Sequence, residues 1–127
     1  MTRHLSMAEQ IAQSAMTFEE HRLGRKPTSV TVVIGGNSLV IAMHGVLSPA
    51  EKVRAAGAEG ITHLQQFHQR LFQLWSDPLR REIQRITGLE LREAAKDKAT
   101  VKVFSGGTVI QMFRLASRLP SDSWGGT

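Results

Sequence analysis

Two short glycine-rich stretches, Gly35-Gly36-Asn37 and Ser105-Gly106-Gly107, each divide a pair of runs that read as extended chain. Residues 28–34 are rich in β-branched side chains, and residues 38–44 are mostly apolar. Runs of this kind joined by a few glycine-rich residues close a β-hairpin, because glycine reaches the positive-φ conformations of a tight turn. In the first hairpin Val30, Val32 and Ile34 alternate with Thr31 and Val33, so both faces hold apolar side chains. Such a sheet is covered on both faces or offers one of them to a partner. Residues 89–104 read as a longer strand entering the second turn, and residues 108–116 as the last strand. Leu91, Ala95, Ala99, Val101 and Val103 share one side of the longer strand, while Glu90, Arg92, Lys96, Lys98 and Lys102 share the other. That alternation marks one packed face and one wet face.

Helical spacing fills the remainder. Met7, Ile11, Ala15 and Phe18 recur near the helical period over residues 6–23, with Ser6 and Glu9 placed as a capping box and Gly24 just past the end. The sharpest local signal is Ser48-Pro49-Ala50-Glu51. Ser48 suits the N-cap, Pro49 the first helical position, and Glu51 the reciprocal side of the box. The helix that follows meets Gly57 and Gly60, where it bends or breaks. Its stripe resumes through Ile61, Leu64, Phe67, Leu71 and Leu74 to Leu79, Ile83 and Ile86, with Pro78 kinking or restarting it and Gly88 ending it.

The order is therefore α-ββ-α-ββ: an α+β domain whose antiparallel sheet of two hairpins carries helices on one face. Residues 1–127 read as one domain, with an ordered core over about 5–117. Residues 118–127 read as a loose, polar, glycine-rich tail. A straight helix over residues 59–87 would span about 43 Å. A seven-residue strand spans only about 23 Å. The overhanging apolar stripe needs cover, and a second copy of the chain supplies it at least cost, so a homodimer is expected.

Composition removes several functions. The chain has no cysteine, which excludes disulfide scaffolds, thiolate metal sites and cysteine nucleophiles. No apolar run approaches the 18 residues of a membrane span. The first ten residues lack the apolar stretch of a secretory signal, so a cytoplasmic location is expected. The net charge is +5, and residues 61–127 hold ten Lys/Arg against six Asp/Glu. A basic domain can meet nucleic acid, anionic lipid or an acidic partner. No block of five like charges forms a basic tail.

Chemical motifs are sparse. His4, His21, His44, His63 and His68 are scattered. His63 and His68 stand five apart, off one helical face, and no HExxH pattern occurs, so neither a metal nor a cofactor is expected. There is no GxSxG elbow, and both glycine stretches lie between strands rather than before a helix, which is not a phosphate cradle. The expectation is a protein that is not an enzyme. An assembled active site would need a deep pocket holding His44 beside a carboxylate. The candidate binding residues are Gly24, Arg25 and Lys26, where two cations follow a helix C-terminus, together with Ser48 and Glu51. Glu51 serves first as a cap and second as a binding group. The alternative is a nucleic-acid-binding module using Arg92, Lys96, Lys98 and Lys102. That face interleaves only Phe104 for stacking, and the chain has no tyrosine.

Taken in order, Phe18-Glu19, Gly24-Arg25-Lys26-Pro27, an apolar hairpin, Gly45-Val46-Leu47-Ser48-Pro49-Ala50-Glu51, a long helix with Pro78 inside it, and Ile86-Thr87-Gly88 before a second hairpin form a recognisable series. Over residues 5–117 it resembles a family of small bacterial proteins named after MpsC, a component of a sodium-translocating, membrane-potential-generating system. The resemblance implies a soluble accessory or regulatory protein. Its partners would include a membrane subunit similar to a proton-pumping antiporter and a large subunit tied to inorganic carbon uptake. It carries over no catalytic residues.

Overall fold

The first apolar pair of runs forms a single element that folds back on itself. In the computed structural model, which describes residues 5–24, 26–92 and 101–126, Ser29–His44 is strand throughout (β1). Sixteen residues of straight strand would hold its ends about 50 Å apart. Yet the Thr28 amide donates to the His44 carbonyl at 2.8 Å, so the two arms lie side by side. The expected hairpin is present. Gly36, at φ 60°, stands at its tip, and Gly45, at φ 70°, closes its base. A β-carbon on Gly45 would run into the Thr28 side chain.

The partner of both arms is one long strand, Thr108–Gly126 (β4). Ser38–His44 pairs antiparallel with residues 108–114, and Val30–Ile34 pairs antiparallel with residues 122–126. Between these stretches the register shifts, so that residues 35–37 face residues 115–121. Thus β4 runs along one arm, passes the tip, and returns along the outside of the other. The expected loose tail over 118–127 is corrected here: residues 118–126 are strand, with 122–126 paired to Val30–Ile34. The physical reason is that Val30–Ile34 leaves a row of backbone donors and acceptors on its outer side, and the tail satisfies them. Two short strands, Leu91–Arg92 (β2) and Val101–Val103 (β3), pair with the far side of β4. Half of the long strand expected over 89–104, residues 93–100, lies outside the described residues. The turn from β3 into β4 is the second expected hairpin, closed by a Phe104 amide to Thr108 carbonyl bond of 2.9 Å.

Among the described residues four helices cover one face. Met7–Leu23 (α1) is capped by Ser6 and ended by Gly24 in the left-handed conformation. The Asp122 carboxylate in β4 accepts from the Ala8 amide in its first turn, where the helix dipole favours an anion. Pro49–Ala55 (α2) and Ala58–Trp75 (α3) are separated at Gly57, and Asp77–Thr87 (α4) restarts at Pro78. The straight 59–87 rod that motivated a homodimer is therefore two helices hinged at Ser76. Beneath them Ala8, Ile11, Ala12 and Ala15 of α1 meet Val30, Val32, Ile34, Leu39, Ile41 and Met43 of β1, all essentially buried. The buried parity switches from even to odd positions across Gly35-Gly36, which lets both arms aim their apolar sets at the helices.

A Gly45→Ala variant should lose about 1–3 kcal/mol of unfolding free energy through the positive φ and the Thr28 collision. Gly106→Ala, with open space around it, should be close to neutral. Urea denaturation of both variants checks the pair, and equal stabilities would remove the role given to the Gly45 closure.

Candidate functional site

Among the polar side chains buried in this core, three interrupt apolar stripes and converge on one place. On α1, Glu19 follows Ala15 by four residues on the buried stripe and is only 3% exposed. On α3, His68 stands between Leu64 and Phe72, four residues from each, and is buried with them. On β4, Gln111 alternates inward with Val109 and Phe113 and is 3% exposed. Burial of such groups is costly unless they are paired.

Pairing is supplied locally. Arg22, three residues after Glu19, donates from Nη2 to Glu19 Oε1 at 2.9 Å, and its guanidinium lies 5.0 Å from the Phe18 ring centroid. On α2 the expected capping box is complete. The Ser48 amide donates to Glu51 Oε1 at 2.9 Å, and the Glu51 amide donates to Ser48 Oγ at 3.2 Å. The remaining carboxylate oxygen, Glu51 Oε2, is 3.3 Å from His68 Nε2. The cap therefore also holds an imidazole on the next helix.

These groups surround a small internal cavity. Glu19, Arg22, His68 and Gln111, with Met43, Val46, Val101 and Val109, line a space of about 10 Å³, roughly the room of one water molecule. Arg22 Nε and Gln111 Oε1 are buried without a hydrogen-bond partner. One is a donor and the other an acceptor, so a water between them can accept from the first and donate to the second. On its other side His68 faces a surface cleft of about 600 Å³ shared with Glu51, Arg54, His63 and Phe67. His68 is thus the partition between the cleft and the internal cavity.

The electrostatics follow from burial. Desolvation pushes the Glu19 carboxyl above its ordinary range, against the opposing pull of Arg22. Desolvation also pushes His68 down; Glu51 works against that through its hydrogen bond and charge, while Arg22 adds to it. Burial alone would raise Glu51, but the Ser48 amide and hydroxyl and the His68 ring together hold it below its ordinary value. The site is a set of polar groups around one water-sized space, with Glu51 holding His68 from its outer side. Among the described residues no group of three or more His, Asp or Glu could hold a metal.

The expected binding residues separate into three groups. Ser48 and Glu51 are brought together and onto His68. Gly24 ends α1 and Lys26 is exposed in the connector, and among the described residues no hydrogen bond or ion pair joins them to Ser48 or Glu51. Arg25 lies outside the described residues. On the alternative face, Arg92 and Lys102 are exposed on the side of the sheet away from the helices, and Lys96 and Lys98 lie outside the described residues. His44 is also on that side, bonded through Nδ1 to Thr108 Oγ1 at 3.0 Å and through Nε2 to Thr31 Oγ1 at 3.4 Å. Its hydrogen bonds are to hydroxyls, not to a carboxylate.

Reading the sequence for motifs sets His68 aside with the scattered histidines and gives no site role to Glu19, Arg22 or Gln111. A signal is present all the same: each of Glu19, His68 and Gln111 interrupts an apolar period at a core position. A second surface feature lies between α1 and the α3–α4 junction. There a groove of about 1100 Å³ is lined by Phe18, Leu74, Trp75 and Leu79 among more polar neighbours, with Leu74 68% and Trp75 54% exposed.

The family model described as "Na+-translocating membrane potential-generating system (MpsC)" matches residues 3–113 of the chain. The "Uncharacterized protein YbcI" of Bacillus subtilis (strain 168) is 26% identical over 114 residues, covering 90% of this chain and 89% of that protein. No solved structure matches. Among the described residues no helix is long and apolar enough to cross a membrane.

The lowered His68 value carries a sign. Below about pH 6.5 the unfolded chain takes up this proton while the folded one does not, so stability is lost as pH falls from there toward the folded value. Glu19 acts in the opposite sense: its stability contribution falls as pH rises from about 4.5 through its raised value. The difference in unfolding free energy between the parent and a His68→Gln variant isolates the first effect. It should move against the parent steadily between pH 7 and 5.5, and a pH-independent difference would refute the burial of a neutral imidazole.

Proposed function

The chain belongs to the MpsC family, and from that premise we propose that it is a cytoplasmic, non-catalytic accessory protein of an ion-translocating, membrane-potential-generating system. On this reading it acts by holding a partner rather than by turning over a substrate. Family membership over residues 3–113 carries the proposal. Two features of the site support it. The internal polar cavity encloses room for about one water, and the Glu51 carboxylate facing the outer cleft is engaged as a helix cap and by His68. The groove beside Leu74 and Trp75, by contrast, is wide, apolar at its floor and open. Exposed tryptophan and leucine beside a depression are the means by which a protein partner is anchored.

The reading includes a homodimer. Phe67 and Leu74 stand seven residues apart on α3, on one helical face, and both are more than half exposed. An apolar stripe of that kind is suited to a second copy of itself across a two-fold axis.

One preparation tests both partners. Two differently tagged copies of the chain are produced together in native cells, which are solubilised gently and washed at moderate salt. Each tag should recover the other copy and an ion-translocating membrane subunit. Trp75→Ala should reduce recovery of the membrane subunit at least about fivefold, as loss of a central aromatic anchor does. Recovery of neither partner, or of nucleic acid that survives the wash, would overturn the reading.

A further inference from the structure

Among the described residues the helices cover one face of the sheet and leave the other open. Directly opposed residues of antiparallel strands share a face, which identifies the residues on the open side. Val40 lies opposite Met112, Ala42 opposite Ile110, and Val33 opposite Ser123. Lys102 lies opposite Ile110, and Arg92 opposite Arg114. Val33 and Met112 are each 45% exposed, and Arg92, Lys102 and Arg114 are all exposed. The face is thus an aliphatic centre with three cations along its β2–β3 side. None of the strand residues on it is acidic, since the one carboxylate in β4, Asp122, pairs with Ile34 on the helix side and bonds to α1.

We propose that this open face is a docking surface for the anionic headgroups of a lipid bilayer, with Arg92, Lys102 and Arg114 meeting the charge and Val33, Ile110 and Met112 resting in the interfacial layer. Charge complementarity selects the occupant. Among the described residues, a second copy of the chain would bring three more cations and one carboxylate, Glu90, which stands two residues before Arg92 on the same side, so two such faces would meet with like charge in excess. Single-stranded nucleic acid matches the charge, but its bases need aromatic or other planar side chains to stack on. This face offers one aromatic ring, Phe104 at the β3 turn, 44% exposed, and aliphatic side chains at its centre, which cannot stack but can leave water for a headgroup region. Basic side chains beside apolar ones are the combination that gives reversible attachment to an anionic membrane, each cation strengthening it severalfold. The proposal goes beyond the accessory role, because it requires lipid alone and no protein subunit.

The test is co-sedimentation of the full chain with phosphatidylcholine vesicles containing either no phosphatidylglycerol or about a third of it, at low and high salt. The chain should bind the anionic vesicles, ignore the neutral ones and be released by salt. K102Q combined with R114Q should weaken partitioning about 30-fold. Met112→Ser should weaken it severalfold with the salt dependence kept. The pair Arg70→Gln and Arg81→Gln removes the same net charge from exposed helix positions away from this face, and should leave partitioning within about twofold. Thermal melts of each variant show that it remains folded. Equal loss from both double variants would reduce the effect to net charge and overturn the proposal. So would no binding to either vesicle, equal binding to both, or binding of a single-stranded oligonucleotide through Lys102 and Arg114 with vesicles ignored.

Discussion

The folding-back of Ser29–His44, clasped at its base by the Thr28–His44 hydrogen bond, is the constraint on which the rest of the structure depends. Two consecutive apolar runs become neighbours in the sheet, and their outer backbone edges must both be paired. One strand does this for both arms. By passing the tip at residues 115–121, β4 pairs with each arm in turn, so the middle of the sheet has no open edge. Once β4 is in place, β2 and β3 pair beyond it and α1 closes over the arms. The Asp122 contact then ties the first turn of that helix to the far end of the same strand.

The polar cluster follows from the same arrangement. Helices α1 and α3 and strand β4 converge where Glu19, His68 and Gln111 occupy core positions, so three polar groups share one interior space. A fully apolar substitute of similar volume often stabilises a protein relative to a buried ion pair. What the cluster does achieve is a chain of held groups. Ser48 fixes Glu51, Glu51 bonds His68, and His68 separates the cleft from the cavity that contains Glu19 and Arg22. The lowered His68 imidazole and the raised Glu19 carboxyl respond to pH in opposite senses.

Much of this was legible in the residues. Both glycine turns, the Ser6 and Ser48 caps, the stop at Gly24 and the restart at Pro78 each act through local chemistry, and each is found where that chemistry places it. The tail was not legible, because pairing of residues 122–126 depends on a partner about 90 residues away in sequence, while Pro120, Ser121, Asp122 and the two glycines have low strand propensity themselves. Tertiary hydrogen bonding overrides that preference. The site was half legible. Ser48 and Glu51 announce themselves by spacing, but their link to His68 spans two helices, and Glu19 and Gln111 are seen only as interruptions in an apolar period.

The two faces of the sheet now have different tasks in the account. The helix-covered face holds the polar cluster and supports the Trp75 groove, and the open face carries aliphatic side chains and cations. Both assignments depend on β4 holding the two arms together. The most direct measurement is therefore nuclear Overhauser spectroscopy on isotope-labelled protein, combined with amide exchange. The account requires cross-strand contacts between Val32 and Trp124 and between Val30 and Gly126, with slow exchange at alternate amides of residues 122–126. Their absence, with fast exchange throughout residues 118–126 and intact contacts between Val40 and Met112, would show a tail detached from the sheet and contradict the clasped arrangement.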